Sequence, residues 1–115
     1  MTTAPTPQQW EIDCRTVHRR QANGENFLLL DCRERDEHAT ASIKGAVLVP
    51  MSEIETRLSE LESYRRGEII VHCHHGGRSL KVARGLAAQG FANVKSMAGG
   101  IDQWSTDIDQ SIPRY

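Results

Sequence analysis

Four short apolar runs, separated by longer segments with helical patterns, constrain the fold of this chain more than any other feature. The runs cover residues 27–31, 45–50, 68–72 and 93–97. A short apolar run bounded by polar residues is typical of a parallel strand that is buried on both faces. Parallel strands need crossover connections, which are usually helices. The alternation therefore predicts a doubly wound α/β fold, a parallel sheet with helices on both faces.

The segments between the apolar runs carry their own helix signals. The sequence predicts helices over residues 11–22, 53–63 and 79–89, and short helical turns over 36–40 and 100–104. Ser52 and Glu55 have the S-x-x-E spacing of a capping box, and apolar residues follow at helical spacing. We therefore expect an amphipathic α-helix directly after this box.

Length and composition narrow the class of protein. A chain of 115 residues is expected to form a single domain, here residues 10–115 after a flexible lead-in of residues 1–9. The net charge of −1 predicts no nucleic-acid partner. No apolar run approaches the roughly 20 residues that span a bilayer, and the first ten residues lack the pattern of a secretion signal. We expect a soluble protein without a membrane partner, either a monomer or a homodimer.

The cysteines predict a reducing compartment. Cys14, Cys32 and Cys73 are an odd number and form no C-x-x-C pair, so we expect no disulfide framework and a cytoplasmic location. Cys14 lies in a predicted helix, where a packing role is expected. Cys32 directly follows the first strand, at the same sheet edge as Cys73. It is either a packing residue or a thiol that resolves oxidised Cys73.

The segment IVHCHHGGRS, residues 70–79, is the strongest functional signal. Cys73 directly follows a predicted strand, and a predicted helix begins at Ser79. In open parallel sheets, ligands bind outside the carboxyl ends of the strands. Cys73 is therefore expected at the functional edge of the sheet.

Several features of this segment favour a thiolate, which is the reactive form of cysteine. The helix N-terminus presents free N–H groups, and Gly76 and Gly77 allow the loop to turn its amides inward. Arg78 adds a positive charge. The neighbouring histidines add partial charge near neutral pH; they are His72, His74 and His75. The loop is expected to cradle a negatively charged sulfur.

Two other interpretations of the segment remain. Cys73 is alternatively a buried residue at a strand end, followed by an ordinary turn. A metal site built on His72 and His74 is the second alternative, but structural zinc needs four ligands and no second cluster is present. We expect neither a metal nor a cofactor.

Four segments, in order, resemble the single-domain rhodaneses, a family of sulfurtransferases. They are LLLDCRERDEH (28–38), SIKGAVLVP (42–50), IVHCHHGGRS (70–79) and GFANVKSMAGGIDQW (90–104). The resemblance implies a doubly wound sheet of about five parallel strands. It also marks architectural positions, which are Gly45, Gly99, Gly100 and Trp104.

The resemblance implies a mechanism and a role for each matching residue. Cys73 is the expected nucleophile, which takes the outer sulfur of an anionic donor such as thiosulfate and carries it as a persulfide. A thiol, cyanide or a protein acceptor then collects the sulfur. The loop residues are expected to bind and position the donor; they are His74, His75, Gly76, Gly77, Arg78 and Ser79. Asp31 and Arg33 are expected to support the site.

The sequence departs from the family at Ser42 and Lys44, where the family usually has histidine and proline. Related phosphatases and arsenate reductases use a C-x5-R loop, whereas Cys73 and Arg78 are separated by four residues. The shorter loop leaves little room for a tetrahedral phosphate, so this function ranks below sulfur transfer. A redox-sensing module, or a persulfide carrier that does not turn over, remains the other alternative.

Overall fold

Five parallel strands form the sheet in the computed structural model, which describes residues 7–115. The strands are β1 (Glu11–Asp13), β2 (Leu28–Asp31), β3 (Val47–Leu48), β4 (Glu68–His72) and β5 (Asn93–Ala98). Their order across the sheet is β1-β5-β4-β2-β3, and every neighbouring pair is parallel. The doubly wound α/β fold with about five strands is therefore confirmed.

Helical segments cover both faces of this sheet. They are α1 (Pro7–Trp10), α2 (Cys14–Ala22), α3 (Arg35–Thr40), α4 (Gly77–Ala88) and α5 (Gly100–Asp107), with 3₁₀ segments at Met51–Glu53 and Leu58–Tyr64. The expected helical turns at 36–40 and 100–104 are thus slightly longer α-helices. None of the helices in this part of the chain has the length and apolar character to cross a membrane.

Alternate residues of the central strands belong to two separate cores. Leu28 and Leu30 pack on the side that α4 covers, whereas Leu29 packs on the side of α2 and α5. Ile70 of β4 shares the second core, which also contains the buried Trp104. Burial on both faces explains why these strands are continuous apolar runs without polar alternation.

The expected helix over residues 11–22 is wrong at its start. Residues 11–13 form β1, the edge strand that pairs with β5, and Ile12 lies opposite Met97. The helix begins at Cys14 because the Asp13 carboxylate accepts a hydrogen bond from the Thr16 N–H at 2.7 Å. Three strand residues are too few to show a periodic pattern, so this strand could not be predicted from the sequence.

The expected α-helix over residues 53–63 is also wrong. The chain forms turns and two 3₁₀ segments there, and the Ser52 hydroxyl donates to Glu34 at 2.8 Å instead of capping a helix. Leu61 is nevertheless buried in the core beneath α4, as its spacing predicted. The spacing of three between Leu58 and Leu61 is one turn of a 3₁₀ helix, so both side chains lie on its buried side.

The predicted lead-in, residues 1–9, lies outside the described residues except for 7–9, which belong to α1. The backbone φ angle is positive at each of the architectural glycines that the resemblance marked. They are Gly45, Gly99 and Gly100.

Candidate active site

The loop between β4 and α4 places two backbone amides on the sulfur of Cys73. The Gly76 N–H donates to Sγ at 3.1 Å, and the Ser79 N–H donates at 3.3 Å. Gly76 has a φ of 118°, in the left-handed region that favours glycine, and this conformation turns its amide inward. Helix α4 begins at Gly77, two residues earlier than expected, so the Ser79 amide is a free donor of its first turn.

Two carbonyl groups of the same loop are held by helix α5. The Cys73 carbonyl accepts from the Ile101 N–H at 2.9 Å, and the His74 carbonyl accepts from the Asp102 N–H at 3.1 Å. Both donors belong to the first turn of α5. A Cβ atom at Gly100 would lie 2.6 Å from the Cys73 carbonyl oxygen, so only glycine allows this close approach. These two carbonyls are therefore bonded to α5, while the Gly76 and Ser79 amides bond the sulfur.

One buried serine hydroxyl contacts the sulfur, and a second contacts the first. Ser79 Oγ is 3.4 Å from Cys73 Sγ and 2.7 Å from Ser96 Oγ. Ser96 belongs to β5 and is fully buried. Sequence reasoning missed Ser96; a serine in the middle of a buried strand was the only available signal.

Arg78 is paired with a carboxylate and does not stand free. Its guanidinium donates to both carboxylate oxygens of Glu37, at 2.6 and 2.8 Å. Hydrogen bonds from Arg78 lower the pKa of Glu37 to about 2. The Tyr115 hydroxyl also donates to Glu37, at 2.9 Å. Sequence analysis assigns no role to Glu37 or Tyr115, because the contact between them depends on the fold.

An aromatic stack covers one side of the loop. The His74 ring lies 4.0 Å from the Tyr115 ring and nearly parallel to it, and 4.0 Å from the His75 ring. Burial and the neighbouring His75 lower the pKa of His74, which disfavours a positive charge on its ring. His75 is exposed, and its Nδ1 lies 3.9 Å from Asp102.

The expectation that His72 adds positive charge near the sulfur is wrong. It is fully buried at the end of β4, and burial lowers its pKa to about 4, so it is neutral at pH 7. Its Nε2 lies 4.0 Å from the Asp31 carboxylate and has no hydrogen-bond partner. The potential at the sulfur therefore comes from amides and not from this imidazole.

Asp31 and Arg33 form a buried ion pair beneath the loop, and both side chains are fully buried. Two Arg33 nitrogens donate to the carboxylate, at 3.0 and 2.8 Å, and the His38 ring contacts it at 2.8 Å. Burial opposes ionisation of Asp31, but the hydrogen bonds from Arg33 outweigh it and the pKa is lowered. The guanidinium also donates to the carbonyls of Glu37 and Ala41. This pair holds the β2 loop together and does not touch the sulfur of Cys73.

All three cysteines are buried and free of disulfide bonds. Burial raises the pKa of Cys14 to about 11 and raises that of Cys32 further. Neither thiol is ionised near neutral pH. The resolving role of Cys32 stays a prediction. Within residues 7–115, no group of three or more histidine, cysteine or acidic side chains is arranged to hold a metal ion.

Comparison with known sequences decides the family. Residues 13–107 match the model of the family described as Rhodanese-like domain. This chain belongs to that family. A sulfurtransferase of Allochromatium vinosum is 35% identical to the rhodanese-like chain over 95 residues, which cover 83% of the chain and 87% of the relative.

Other rhodanese-like relatives are longer. The maize adenylyltransferase and sulfurtransferase MOCS3-2 is 34% identical over 95% of the chain, but the match spans only 24% of the maize protein. YrkF of Bacillus subtilis, named for a sulfur-carrier role, is 35% identical over 83% of the chain and 50% of its own length. The chain thus spans a quarter to a half of these two relatives.

Solved structures agree with the fold. Reduced CoADR-RHD of Bacillus anthracis superposes with a TM-score of 0.78 and 29% identity, over 89% of this chain and 17% of that one. The human single-domain sulfurtransferase TSTD1 superposes with a TM-score of 0.74 and 24% identity, over 91% of this chain and 98% of that one. The expected membership of the rhodanese-like family is therefore confirmed.

Proposed function

We propose that this domain transfers a sulfane sulfur through a persulfide on Cys73. The observation that carries the proposal is the pair of amides on the sulfur, from Gly76 at 3.1 Å and from Ser79 at 3.3 Å. Hydrogen bonds to a thiolate favour the ionised form, which is the nucleophile. The same donors suit a second, negatively charged sulfur bonded to the first.

The proposed first half-reaction uses thiosulfate or a similar donor. The Cys73 thiolate attacks the outer sulfur, a new S–S bond forms, and the old S–S bond breaks with its electron pair leaving on sulfite. In the second half-reaction, cyanide or a thiol attacks the outer persulfide sulfur and regenerates the thiolate. The loop from His74 to Ser79 binds the donor, and the Asp31–Arg33 pair supports the loop from below. Such chemistry suits a reducing compartment such as the cytoplasm.

A sulfur carrier that loads once is the second candidate. The named role of YrkF, which is 35% identical over 83% of this chain, favours it. A turnover assay with thiosulfate and cyanide separates the two: an enzyme forms many equivalents of thiocyanate, whereas a carrier stops at one until a protein acceptor is added.

The phosphatase alternative is weaker. The loop has four residues between Cys73 and Arg78, and the Arg78 guanidinium is held by Glu37. Turnover of an aryl phosphate as fast as sulfur transfer would reverse this ranking.

Intact-protein mass spectrometry after incubation with thiosulfate tests the proposal. We expect the protein to gain one sulfur atom, which peptide mapping places on Cys73. Cys73→Ser should gain none, and Cys32→Ser, the matched control, should gain one. A sulfur mapped to Cys14 or Cys32 would overturn the assignment.

A further inference from the structure

The guanidinium groups around the Cys73 loop are all engaged by carboxylates. Three such pairs contact the loop or its direct partners among the described residues: Arg78–Glu37, Arg33–Asp31 and Arg114–Asp102. Of these three arginines, Arg78 alone lies in the first turn of α4, directly after the Cys73 loop. Its positive charge is therefore largely cancelled at the place where an anionic donor would meet it.

Glu37 is fixed in this pairing position by three separate contacts. Both carboxylate oxygens accept from Arg78, at 2.6 and 2.8 Å. The Tyr115 hydroxyl donates to Oε2 at 2.9 Å. The backbone N–H of Glu34 donates to Oε1 at 3.1 Å, as part of the capping box of α3. The Tyr115 ring is in turn stacked on His74. A donor cannot draw Arg78 away without breaking a bidentate pair that is anchored on both sides.

The charge of the sulfur donor determines how strongly the Glu37 carboxylate disfavours its binding. Thiosulfate is a dianion, whereas an organic thiosulfonate is a monoanion and a protonated persulfide carries no charge on its sulfurs. Because Coulomb energy is proportional to the charge, a fixed carboxylate repels the dianion twice as strongly as the monoanion at the same distance.

We propose that Glu37 is a specificity-determining residue that ranks sulfur donors by charge. By neutralising Arg78, it favours monoanionic thiosulfonates and uncharged persulfides over dianionic thiosulfate. This inference rests on the Cys73 persulfide chemistry proposed above and names the class of donor that the site prefers.

Methanethiosulfonate and thiosulfate are a matched pair of probes for this selection. In both, the Cys73 thiolate attacks the outer sulfur, an S–S bond forms and the donor's S–S bond breaks. The electron pair leaves on methanesulfinate in one case and on sulfite in the other. The two reactions differ in the charge of the donor by one unit, and both leave the same persulfide on the enzyme.

The test measures the second-order rate of persulfide formation with each probe, in the wild type and in Glu37→Gln, at low ionic strength. Glutamine keeps an acceptor for Tyr115 and suits the capping box. We expect the rate with thiosulfate to rise about tenfold and the rate with methanethiosulfonate about threefold, because the free-energy gain scales with donor charge. An unchanged ratio of the two rates would overturn the inference.

Two variants act as controls. Glu60→Gln removes the same charge from an exposed pair with Arg57 and should leave the ratio of the two rates unchanged. The double variant Glu37→Gln/Arg78→Gln should lose the gain for thiosulfate, because Glu37 acts through Arg78. The double variant has the same net charge in this pair as the wild type, so a gain that persists in it would not come from charge and would overturn the inference.

A measurement on the wild type keeps the test independent of how Glu37→Gln folds. With Arg78 neutralised, the rate with thiosulfate should stay level or rise as salt increases from about 20 to about 500 mM, because the charge of Arg78 is already balanced by Glu37. A steep fall would contradict the inference. Intact mass after each reaction separates the two proposals: no persulfide on Cys73 from either probe overturns the proposed function, whereas persulfide formed with an unchanged ratio overturns only the role of Glu37.

Discussion

The loops that follow β2 and β4 lie side by side at one edge of the sheet, yet they differ in what their polar groups contact. Each begins with a buried cysteine, Cys32 after β2 and Cys73 after β4. In the β4 loop, two amides converge on the sulfur. In the β2 loop, the polar side chains pair with each other, and the Cys32 N–H donates to the His72 carbonyl at 3.1 Å.

The difference teaches that position at the functional edge does not make a cysteine reactive. At Cys32, burial raises the pKa of the thiol and outweighs the opposing effect of a single backbone N–H, its own. Cys73 is equally buried, but its loop supplies hydrogen-bond donors to the sulfur. The polar groups of the β2 loop pair with one another, whereas the β4 loop directs two amides at its sulfur.

The largest expected effect comes from exchanging the two sulfurs for oxygen. Cys73→Ser should lower the rate of sulfur transfer by about 10³-fold or more, because a serine cannot form the persulfide. Cys32→Ser should change that rate by less than about threefold, because its thiol is buried and burial raises its pKa. Steady-state assays with thiosulfate and cyanide measure both. Equal losses would show that the two loops share the chemistry.

The next largest effect is on the free energy of unfolding, and here a change in the β2 loop should have the larger effect. Arg33→Met should lower the free energy of unfolding by about 3–5 kcal/mol, because it leaves the buried Asp31 carboxylate without its partner. Arg78→Met, the matched change in the β4 loop, removes a half-exposed pair and should cost about 1 kcal/mol or less. Urea unfolding at neutral pH measures both variants. Similar costs would mean that Arg78 is as structural as Arg33.

The smallest effect is a difference in labelling rate. Iodoacetamide at about pH 6 should modify Cys73 at least about tenfold faster than Cys32 or Cys14, because only the Cys73 thiolate receives two amide hydrogen bonds and thiolates are the reactive species. Peptide mapping over time gives the three rates. Equal rates would remove the main support for the thiolate at Cys73.

Sequence reasoning identified the parts of the fold and site that lie in continuous segments. Strands β2 and β4 were predictable because burial on both faces makes each a continuous apolar run. The Cys73 loop was predictable because the sulfur and its two donors lie within seven consecutive residues. Helix α4 was placed within two residues at each end.

The remaining features depend on contacts between distant segments. Ser96 contacts the loop from β5, and Tyr115 contacts it from the last position of the sequence. No local sequence pattern predicts contacts between such distant segments. The pairing of Arg78 with Glu37 crosses 41 residues of sequence. The neutral state of His72 follows from complete burial, which the sequence could suggest only through its place at a strand end.

The contact between the Cys73 loop and α5 bears on how the loop behaves when it gains a second sulfur. Because the first turn of α5 holds the carbonyls of Cys73 and His74, the peptide planes of the loop cannot flip without breaking those bonds. Charge that spreads onto an added sulfur then meets dipoles that are already aligned. Loading and unloading should therefore proceed over an almost stationary backbone, with little reorganisation to slow either step.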